Sequence, residues 1–412
     1  MSRPPDGLRI ALCDGTFYGG DPFPAFAWMR DHAPAYFDEE AGVWGITRYQ
    51  DVKDISKDPE TFSNAGGIRP DNDALPMMID FDAPEHVRRR RLVSEGFTPG
   101  RIRESEDGIR AICDEIIDEV CERGTADFVR DVAAPLPMIV IGNMLGVAPE
   151  DRGTLLRWSD DMLKALGSPD PQAMEVAAVA AAEYATYITA VTEERRKEAK
   201  VDDLIGTLVH AEIEGDRLDE SSLIYESLLI LIGGDETTRH VISGGTYELL
   251  RHPDQWDRLR SDRSLLPSAV EEMLRWVTPI KNMARRLTRD AELHGEHLRA
   301  GQKLLLLYPA ANRDERAFDE PDRFDITRSP NDHVAFGFGS HFCLGNRLAR
   351  MELNVMFDRL LDRLPDLQLA SDGEPPKRPA NFVSGYETMP VTFTPSERLG
   401  AAAATPAGGA GR

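Results

Sequence analysis

Cys343 follows a glycine-spaced turn and precedes a long helical pattern. The turn is Phe336-Gly-Phe-Gly-Ser-His-Phe-Cys-Leu-Gly345. Apolar residues then recur every three or four positions, which predicts an amphipathic helix: Ala349, Leu353, Met356, Leu360 and Leu364. The N–H groups and the positive dipole end of such a helix favour a thiolate at its start. A lone cysteine is more often a packing residue, but this arrangement presents the sulfur to a metal.

Two adjacent glycines, Gly233 and Gly234, interrupt a helix that is predicted from about Asp219 to about Arg251. Each glycine costs about 1 kcal/mol relative to alanine inside a helix, so the pair needs a reason. One interpretation is close packing of another helix, and the other is a groove beside a reactive centre. Thr237 lies four residues after Gly233, so its hydroxyl can donate to that carbonyl and loosen the helix.

A pair of opposite charges, Glu272 and Arg275, is three residues apart on a predicted helix and therefore shares one face. Such a pair is usually solvated and contributes little to stability. Two further short motifs follow this pair in the chain, Ala311-Asn-Arg-Asp314 and Pro321-Asp-Arg-Phe324.

In this order, the motifs resemble those of the cytochrome P-450 family, over roughly Trp44 to Pro395. The cysteine signature Phe-x-x-Gly-x-His-x-Cys-x-Gly is complete. The resemblance implies a mainly α fold with small β-sheets, in which haem b lies between a long central helix and the cysteine loop. Cys343 would be its axial ligand, and a thiolate ligand favours O–O bond cleavage.

The resemblance also implies a proton source for dioxygen. Glu236 matches the family's acid and Thr237 its alcohol, although the adjacent Asp235 stays open as the acid. Gly233 would form the oxygen groove, while Phe336 and Gly345 belong to the cofactor loop.

Cationic partners for the two haem propionates are expected at three places. These are His86 with Arg90, the strand residue Arg285, and His341. Arg286 competes with Arg285 for this role.

The family likeness further assigns Glu272, Arg275 and Arg323 to a buried brace behind the cysteine loop. The three residues are expected to retain haem and to take no part in catalysis.

A closer likeness is to actinobacterial steroid side-chain hydroxylases, which oxidise the terminal methyl (C26/C27) of cholesterol or cholest-4-en-3-one, often on to the acid. It is carried by segments 62–71, 75–80, 231–240, 279–283 and 381–395. Expected substrate contacts are Ile68, Met78, Ile79, Ile280 and Val383. The stretch from Trp158 to Lys200 matches that subgroup poorly, which leaves other apolar natural products (terpenoids, macrolides, fatty acids) as the alternative.

The elements that must position these residues are predicted to be mostly helical. Short strands are expected at Trp44–Tyr49, between His297 and Leu307, and at Val391–Phe393. Helices are expected to start near Asp82 and Ala134 and to run over Glu175–Lys200.

The 412 residues carry a net charge of −23, which disfavours nucleic-acid binding. No membrane span or secretion signal is expected, so the protein is expected to be cytoplasmic. One domain over residues 1–397 and a disordered tail over 398–412 are predicted.

A basic patch on this acidic chain would attract an acidic electron donor. Its expected members are Arg88, Arg89, Arg91, Arg347 and Arg350. The predicted partners are a ferredoxin and its reductase, dioxygen, and an apolar substrate. A peroxygenase or a haem-thiolate sensor is less consistent with the acid–alcohol pair.

Overall fold

The computed structural model describes residues 3–70, 73–165, 170–198, 203–212, 215 and 217–400. Its α-helices are α1 Gly15–Gly19, α2 Phe23–His32, α3 Tyr49–Lys57, α4 Glu85–Ser94, α5 Pro99–Glu104, α6 Glu106–Asp118, α7 Pro135–Leu145, α8 Arg152–Lys164, α9 Pro171–Lys197, α10 Leu204–His210, α11 Glu220–Arg251, α12 Pro253–Ser261, α13 Leu266–Val277, α14 Tyr308–Ala311 and α15 Asn346–Arg363. Short 3-10 turns occur at Met78–Asp80, Glu95–Phe97, Pro149–Asp151, Arg263–Leu265 and Gly339–His341, and a π-helix at Phe128–Ala133.

The described strands are short, with two to five residues each. They are β1 Ala35–Asp38, β2 Val43–Ile46, β3 Phe62–Ser63, β4 Thr125–Asp127, β5 Met283–Leu287, β6 Ala291–Leu293, β7 Glu296–Leu298, β8 Lys303–Leu306, β9 Gln368–Leu369 and β10 Pro390–Thr392. Within the described ranges they form sheets with the orders β1-β2-β8-β5-β3, β4-β10-β9 and β6-β7. The pair β2–β8 is parallel, with Val43 opposite Lys303. The mainly helical fold with small sheets is therefore confirmed.

The longest helix of the described ranges is α11, with 32 residues. It begins where the Asp219 side chain accepts a hydrogen bond from the Ser222 N–H (2.7 Å), an arrangement that satisfies a free donor of the first turn. It packs against α7, α13 and α15, and a large apolar cluster fills the space between these helices. The predicted extent, Asp219 to Arg251, is confirmed.

The successive helices Phe128–Ala133 and Pro135–Leu145 make an apolar stretch that is long enough to cross a membrane by length and composition. Of this stretch, 67% is buried inside the structure. Its apolar surface is thus used for internal packing.

The predicted tail boundary at residue 398 is wrong. Arg398 pairs with Glu119 and Glu122 at the end of α6, and the N–H groups of Leu399 and Gly400 donate to Asp118. These charge-assisted bonds hold the chain to residue 400. Residues 401–412 lie outside the described part, as do residues 166–169 and 199–200 of the segment that matched poorly.

Candidate active site

A cavity lies between the middle of α11 and the segment around Cys343. It encloses about 1320 Å³ of atom-free space, counting the part open to solvent. Most of its wall is apolar, with contributions from Met78, Ile79, Leu229, Ile230, Val241, Ile280, Met283 and Leu348. Such a cavity suits a flat cofactor with an apolar ligand above it.

Cys343 reaches this cavity from the loop before α15. Its N–H donates to the Phe336 carbonyl (2.9 Å), which closes the loop. Gly339 has φ +75°, and a Cβ there would stand 2.3 Å from the Ser56 carbonyl oxygen, so only glycine fits. Phe336, His341 and Gly345 also line the cavity.

Burial raises the pKa of the Cys343 thiol, while the N–H groups of Gly345 and Asn346 and the charges of Arg90 and Arg350 act in the opposite direction. The helix start therefore favours the thiolate less than burial opposes it. A bound metal cation would supply the missing stabilisation.

The two glycines of α11 have different neighbours. A Cβ at Gly233 would meet nothing within 4 Å, whereas a Cβ at Gly234 would stand 2.9 Å from Ile141 of α7. The Thr237 hydroxyl donates to the Gly233 carbonyl at 2.8 Å. Gly234 therefore allows close packing of α7, while the groove at Gly233 stays a prediction that agrees with its place in the cavity wall.

Cationic and imidazole groups gather at one end of the cavity. The rings of His86 and His341 stack with centroids 3.9 Å apart, and Arg90 donates to the Phe342 carbonyl at 2.5 Å. Burial, followed by the charges of His86, Arg285 and Arg90, lowers the pKa of His341 to about 2. None of these four side chains forms an ion pair with a carboxylate in the described part of the chain.

Of the two competing arginines, Arg285 is buried and Arg286 is exposed, because successive residues of β5 point to opposite faces. Arg285 lies beside Tyr308, whose side chain lines the cavity. Sequence reasoning missed Tyr308, which lies three residues before the Ala311-Asn-Arg-Asp314 motif. Two arginines and two neutral imidazoles, none of them paired with a carboxylate in the described ranges, thus fit the two propionates of a haem as hydrogen-bond donors.

Glu236 does not line the cavity but lies in a buried charge cluster. Its carboxylate accepts hydrogen bonds from Arg239 and, at 3.1 Å, from Arg378. Asp160 accepts from both Nη atoms of Arg239 (3.1 and 3.2 Å), and its side chain keeps 26% exposure. Burial opposes ionisation of Glu236, but His240, Arg239 and Arg378 lower its pKa well below the usual range.

Asp235, the alternative acid, is buried, and within the described ranges neither of its oxygens accepts a hydrogen bond. Burial, and then the charge of Glu236, raise its pKa to about 8. Glu352 of α15 is also buried and lines the cavity, and burial raises its pKa well above the usual range. Burial therefore favours the neutral form of both carboxyl groups.

The pair Glu272 and Arg275 is fully buried and bidentate, with both N···O distances at 2.8 Å. The prediction that Arg323 completes it is wrong. The Arg323 side chain is 62% exposed and pairs with Glu320, and only its carbonyl accepts from Arg275. Arg328 takes the place instead, 3.1 Å from Glu272.

This brace reaches the cysteine loop through three contacts. Asn331 donates to Glu272 (3.1 Å), and the Val334 N–H donates to the Asn312 side chain (2.8 Å). Glu271 bonds Arg350 of α15 (2.6 and 2.8 Å). The loop is thereby fixed from both sides of Cys343.

Among the expected substrate contacts, Met78, Ile79 and Ile280 line the cavity. Ile68 and Val383 do not, and their placement there is wrong. They form a separate buried cluster with Phe382, and this cluster packs against Ile79 and Ile280. Backbone pairing between Val383 and Ile280 holds the cluster next to the cavity wall.

The basic surface is smaller than expected. Arg89 is only 12% exposed and pairs with Glu85 and Glu226, while Arg350 is held by Glu271. Arg91 and Arg347 are exposed, and two exposed apolar side chains, Val87 and Phe342, lie in the same segments.

The chain resembles known proteins in both sequence and structure. The family description Cytochrome P-450 matches residues 153–392. The chain is 55% identical to a steroid C26-monooxygenase of Mycobacterium tuberculosis, covering 97% of this chain and 100% of the relative. It is 37% identical to a methyl-branched lipid omega-hydroxylase of Mycobacterium bovis, covering 90% of each chain. A crystal structure from Bacillus megaterium in complex with testosterone superposes with a TM-score of 0.84 at 33% identity, covering 91% of this chain and 98% of the other.

Proposed function

Because the chain belongs to the cytochrome P-450 family of haem-thiolate monooxygenases, we propose that it hydroxylates the terminal methyl (C26/C27) of the cholesterol or cholest-4-en-3-one side chain. The observation that carries this proposal is the likeness to steroid C26-monooxygenases along nearly the whole chain. The apolar cavity wall of Met78, Ile79 and Ile280 supports it, since a sterol side chain offers no polar group. The alcohol is the natural substrate for further oxidation to the acid.

Haem b, ligated by the Cys343 thiolate, supplies dioxygen activation with two electrons when bound. His86, Arg90, Arg285 and His341 would hold its propionates, since they are cationic or proton-donating groups without a carboxylate partner in the described ranges. Glu272, Arg275 and Arg328 would keep the cysteine loop rigid. The chain through residue 400 would act as one catalytic unit.

Each turnover inserts one oxygen atom into a C–H bond and converts the other to water, which consumes two electrons and two protons. Thr237 lines the cavity, and Gly233 leaves space beside its hydroxyl. Glu236 would provide the protons after it exchanges its bonds to Arg239 and Arg378 and gains a proton itself. Asp160, the most exposed carboxylate of that cluster, is the nearest route to water.

The electron donor would be an acidic ferredoxin that binds over the cysteine loop, in the cytoplasm. Arg91 and Arg347 offer exposed positive charge there on a chain of net charge −23. Val87 and Phe342 would supply apolar contact at the same face. Charge complementarity of this kind accelerates association.

The substrate is tested by adding cholest-4-en-3-one to the purified haem protein. Binding should shift the absorbance spectrum of the haem protein from low to high spin. Reconstitution with ferredoxin, reductase and NADPH should then yield the 26- or 27-alcohol. A shift with a branched fatty acid or a macrolide but with no sterol would overturn the steroid assignment; the methyl-branched lipid hydroxylase relative makes a branched lipid the first comparison.

A further inference from the structure

One face of α11 carries the residues that border the cavity. Leu229, Ile230, Gly233 and Thr237 line it. Their spacing of three, four and seven residues places Glu226 on the same face, one turn towards the start of the helix. Glu226 has no exposed side-chain surface, so a buried carboxylate lies on the helix face that lines the cavity.

Glu226 binds the loop that forms the opposite wall. Its Oε1 accepts from the Met78 N–H (2.8 Å) and from Arg89 Nη1 (3.1 Å). Met78 and Ile79 line the cavity, so this bond ties the cavity wall directly to α11.

Arg89 of α4 holds the same loop at two more points. Its Nη1 donates to the Pro76 carbonyl (3.0 Å), and its guanidinium lies 4.7 Å from the centre of the Phe81 ring. On the other side it pairs with Glu85 at 2.7 Å. The loop from Pro76 to Phe81 is thus fastened to both α4 and α11.

This arrangement costs stability. Burial raises the pKa of Glu226 to about 7 although Arg89 and the Met78 N–H act in the opposite direction. Its Oε2 is buried and accepts no hydrogen bond from the residues that the structure describes. An apolar pair of similar size would be as stable or more stable, so the gain from the ion pair lies in the geometry that it imposes.

We propose that Glu226 and Arg89 are positioning residues that fix the Met78–Ile79 wall and thereby determine which carbon of the substrate reaches the reaction centre. The inference rests on the proposed function and extends it to specificity. Neither residue touches the substrate; both act through the wall.

The test compares three variants of the holoenzyme. Glu226→Gln keeps an acceptor for the Met78 N–H but loses the charge pair, and Glu226→Met loses both. Glu85→Gln is the matched control, because it removes a carboxylate from Arg89 without touching the loop. Affinity is read from the spin-state shift with cholest-4-en-3-one, position of attack from the products, and loop order from hydrogen exchange over residues 75–81.

We expect affinity to fall about threefold in Glu226→Gln and about tenfold in Glu226→Met, as graded loss of charge-assisted bonds predicts. The fraction of product oxidised at the terminal methyl should fall in the same order, and the 75–81 amides should exchange faster. Glu85→Gln should match the wild type in all three readouts.

Unchanged product positions and exchange rates in Glu226→Gln, or equal effects in Glu85→Gln, would show that the pair only packs the core. Should Glu226→Met fail to fold, Glu226→Gln still decides. If cholest-4-en-3-one gives no shift with the wild type, the proposed function fails, and palmitic acid then serves as the probe for the same variant-to-wild-type comparison.

Discussion

The adjacent carboxyl groups of Asp235 and Glu236 on α11 differ in protonation state because their partners differ. Glu236 meets two guanidinium groups and stays ionised, whereas Asp235 meets none at hydrogen-bonding distance and is held neutral. Position along the helix decides this, since a step of one residue rotates the side chain by about 100°. The sequence alone leaves both residues open as the acid.

Substitution of each carboxyl by its amide separates the two candidates. Glu236→Gln should lower the rate of product formation about 10- to 100-fold, as expected for loss of a positioned acid. Asp235→Asn should retain most activity, because its neutral carboxyl resembles an amide. Product formation and hydrogen peroxide release per NADPH consumed measure both. A severe defect in Asp235→Asn with an active Glu236→Gln would reverse the assignment.

Glu226 should make stability depend on pH. Its pKa is raised from 4.5 to about 7 in the folded protein, so folding favours the neutral carboxyl. This contribution to the free energy of unfolding is fully present below pH 4.5 and is lost as the pH rises through 7. Glu226→Gln should therefore match the wild type near pH 5 and be more stable at pH 8, by on the order of 2 kcal/mol. Denaturant unfolding at both pH values is the measurement. A constant difference across this range would contradict the pKa.

The cysteine loop is an element whose rigidity comes from residues far away in sequence. Glu272 and Arg275 of α13 bind Arg328, Asn331 and the carbonyl groups of the preceding segment. Glu271, on the same helix, binds α15. One helix end therefore sets the position of both sides of the thiolate.

Removal of Arg328 should destabilise the loop far more than removal of Arg323. Arg328→Ala leaves a buried Glu272 short of a cation and should cost about 3 kcal/mol. Arg323→Ala removes an exposed side chain and should stay within about 0.5 kcal/mol. Haem retention during thermal unfolding reports both. Equal haem loss in the two variants would restore Arg323 to the brace.

A structural feature can be predicted from the sequence when residues close together in the chain determine it. The extent of α11 and the Thr237–Gly233 bond followed from spacing along one helix. Arg328 could not be found in this way, because Arg323 and Arg328 lie in an irregular loop where no period says which side chain turns inward. Ile68 and Val383 failed for a related reason: both are apolar and adjacent to the wall, and only tertiary packing places them one layer behind it.

The molecule as a whole is acidic, with a small positive surface near the thiolate. Such a surface should make electron transfer depend on ionic strength, since exposed charges are screened over about 10 Å at 0.1 M salt. This dependence belongs to the whole charge distribution rather than to one residue.

Reversal of one exposed charge tests this surface. Arg347→Glu should raise the KM for ferredoxin about tenfold at low salt, with a smaller difference at high salt. Arg9→Ala, which removes an exposed arginine outside the patch, is the control. Ferredoxin-dependent turnover at several salt concentrations measures the effect, while the substrate spin shift should not change. If the difference in the KM for ferredoxin between Arg347→Glu and the wild type did not change with salt concentration, the donor would bind elsewhere.

The parallel pair β2–β8 joins segments that are about 260 residues apart in the chain. During synthesis at about 5–20 residues per second, β2 leaves the ribosome roughly 13 to 50 seconds before its partner exists. Until then the hairpin of β1 and β2 has an open edge, which is the kind of edge that invites aggregation. Slower growth at low temperature, with chaperones present to cover that edge, should therefore increase the soluble yield of this protein more than any change at its active site.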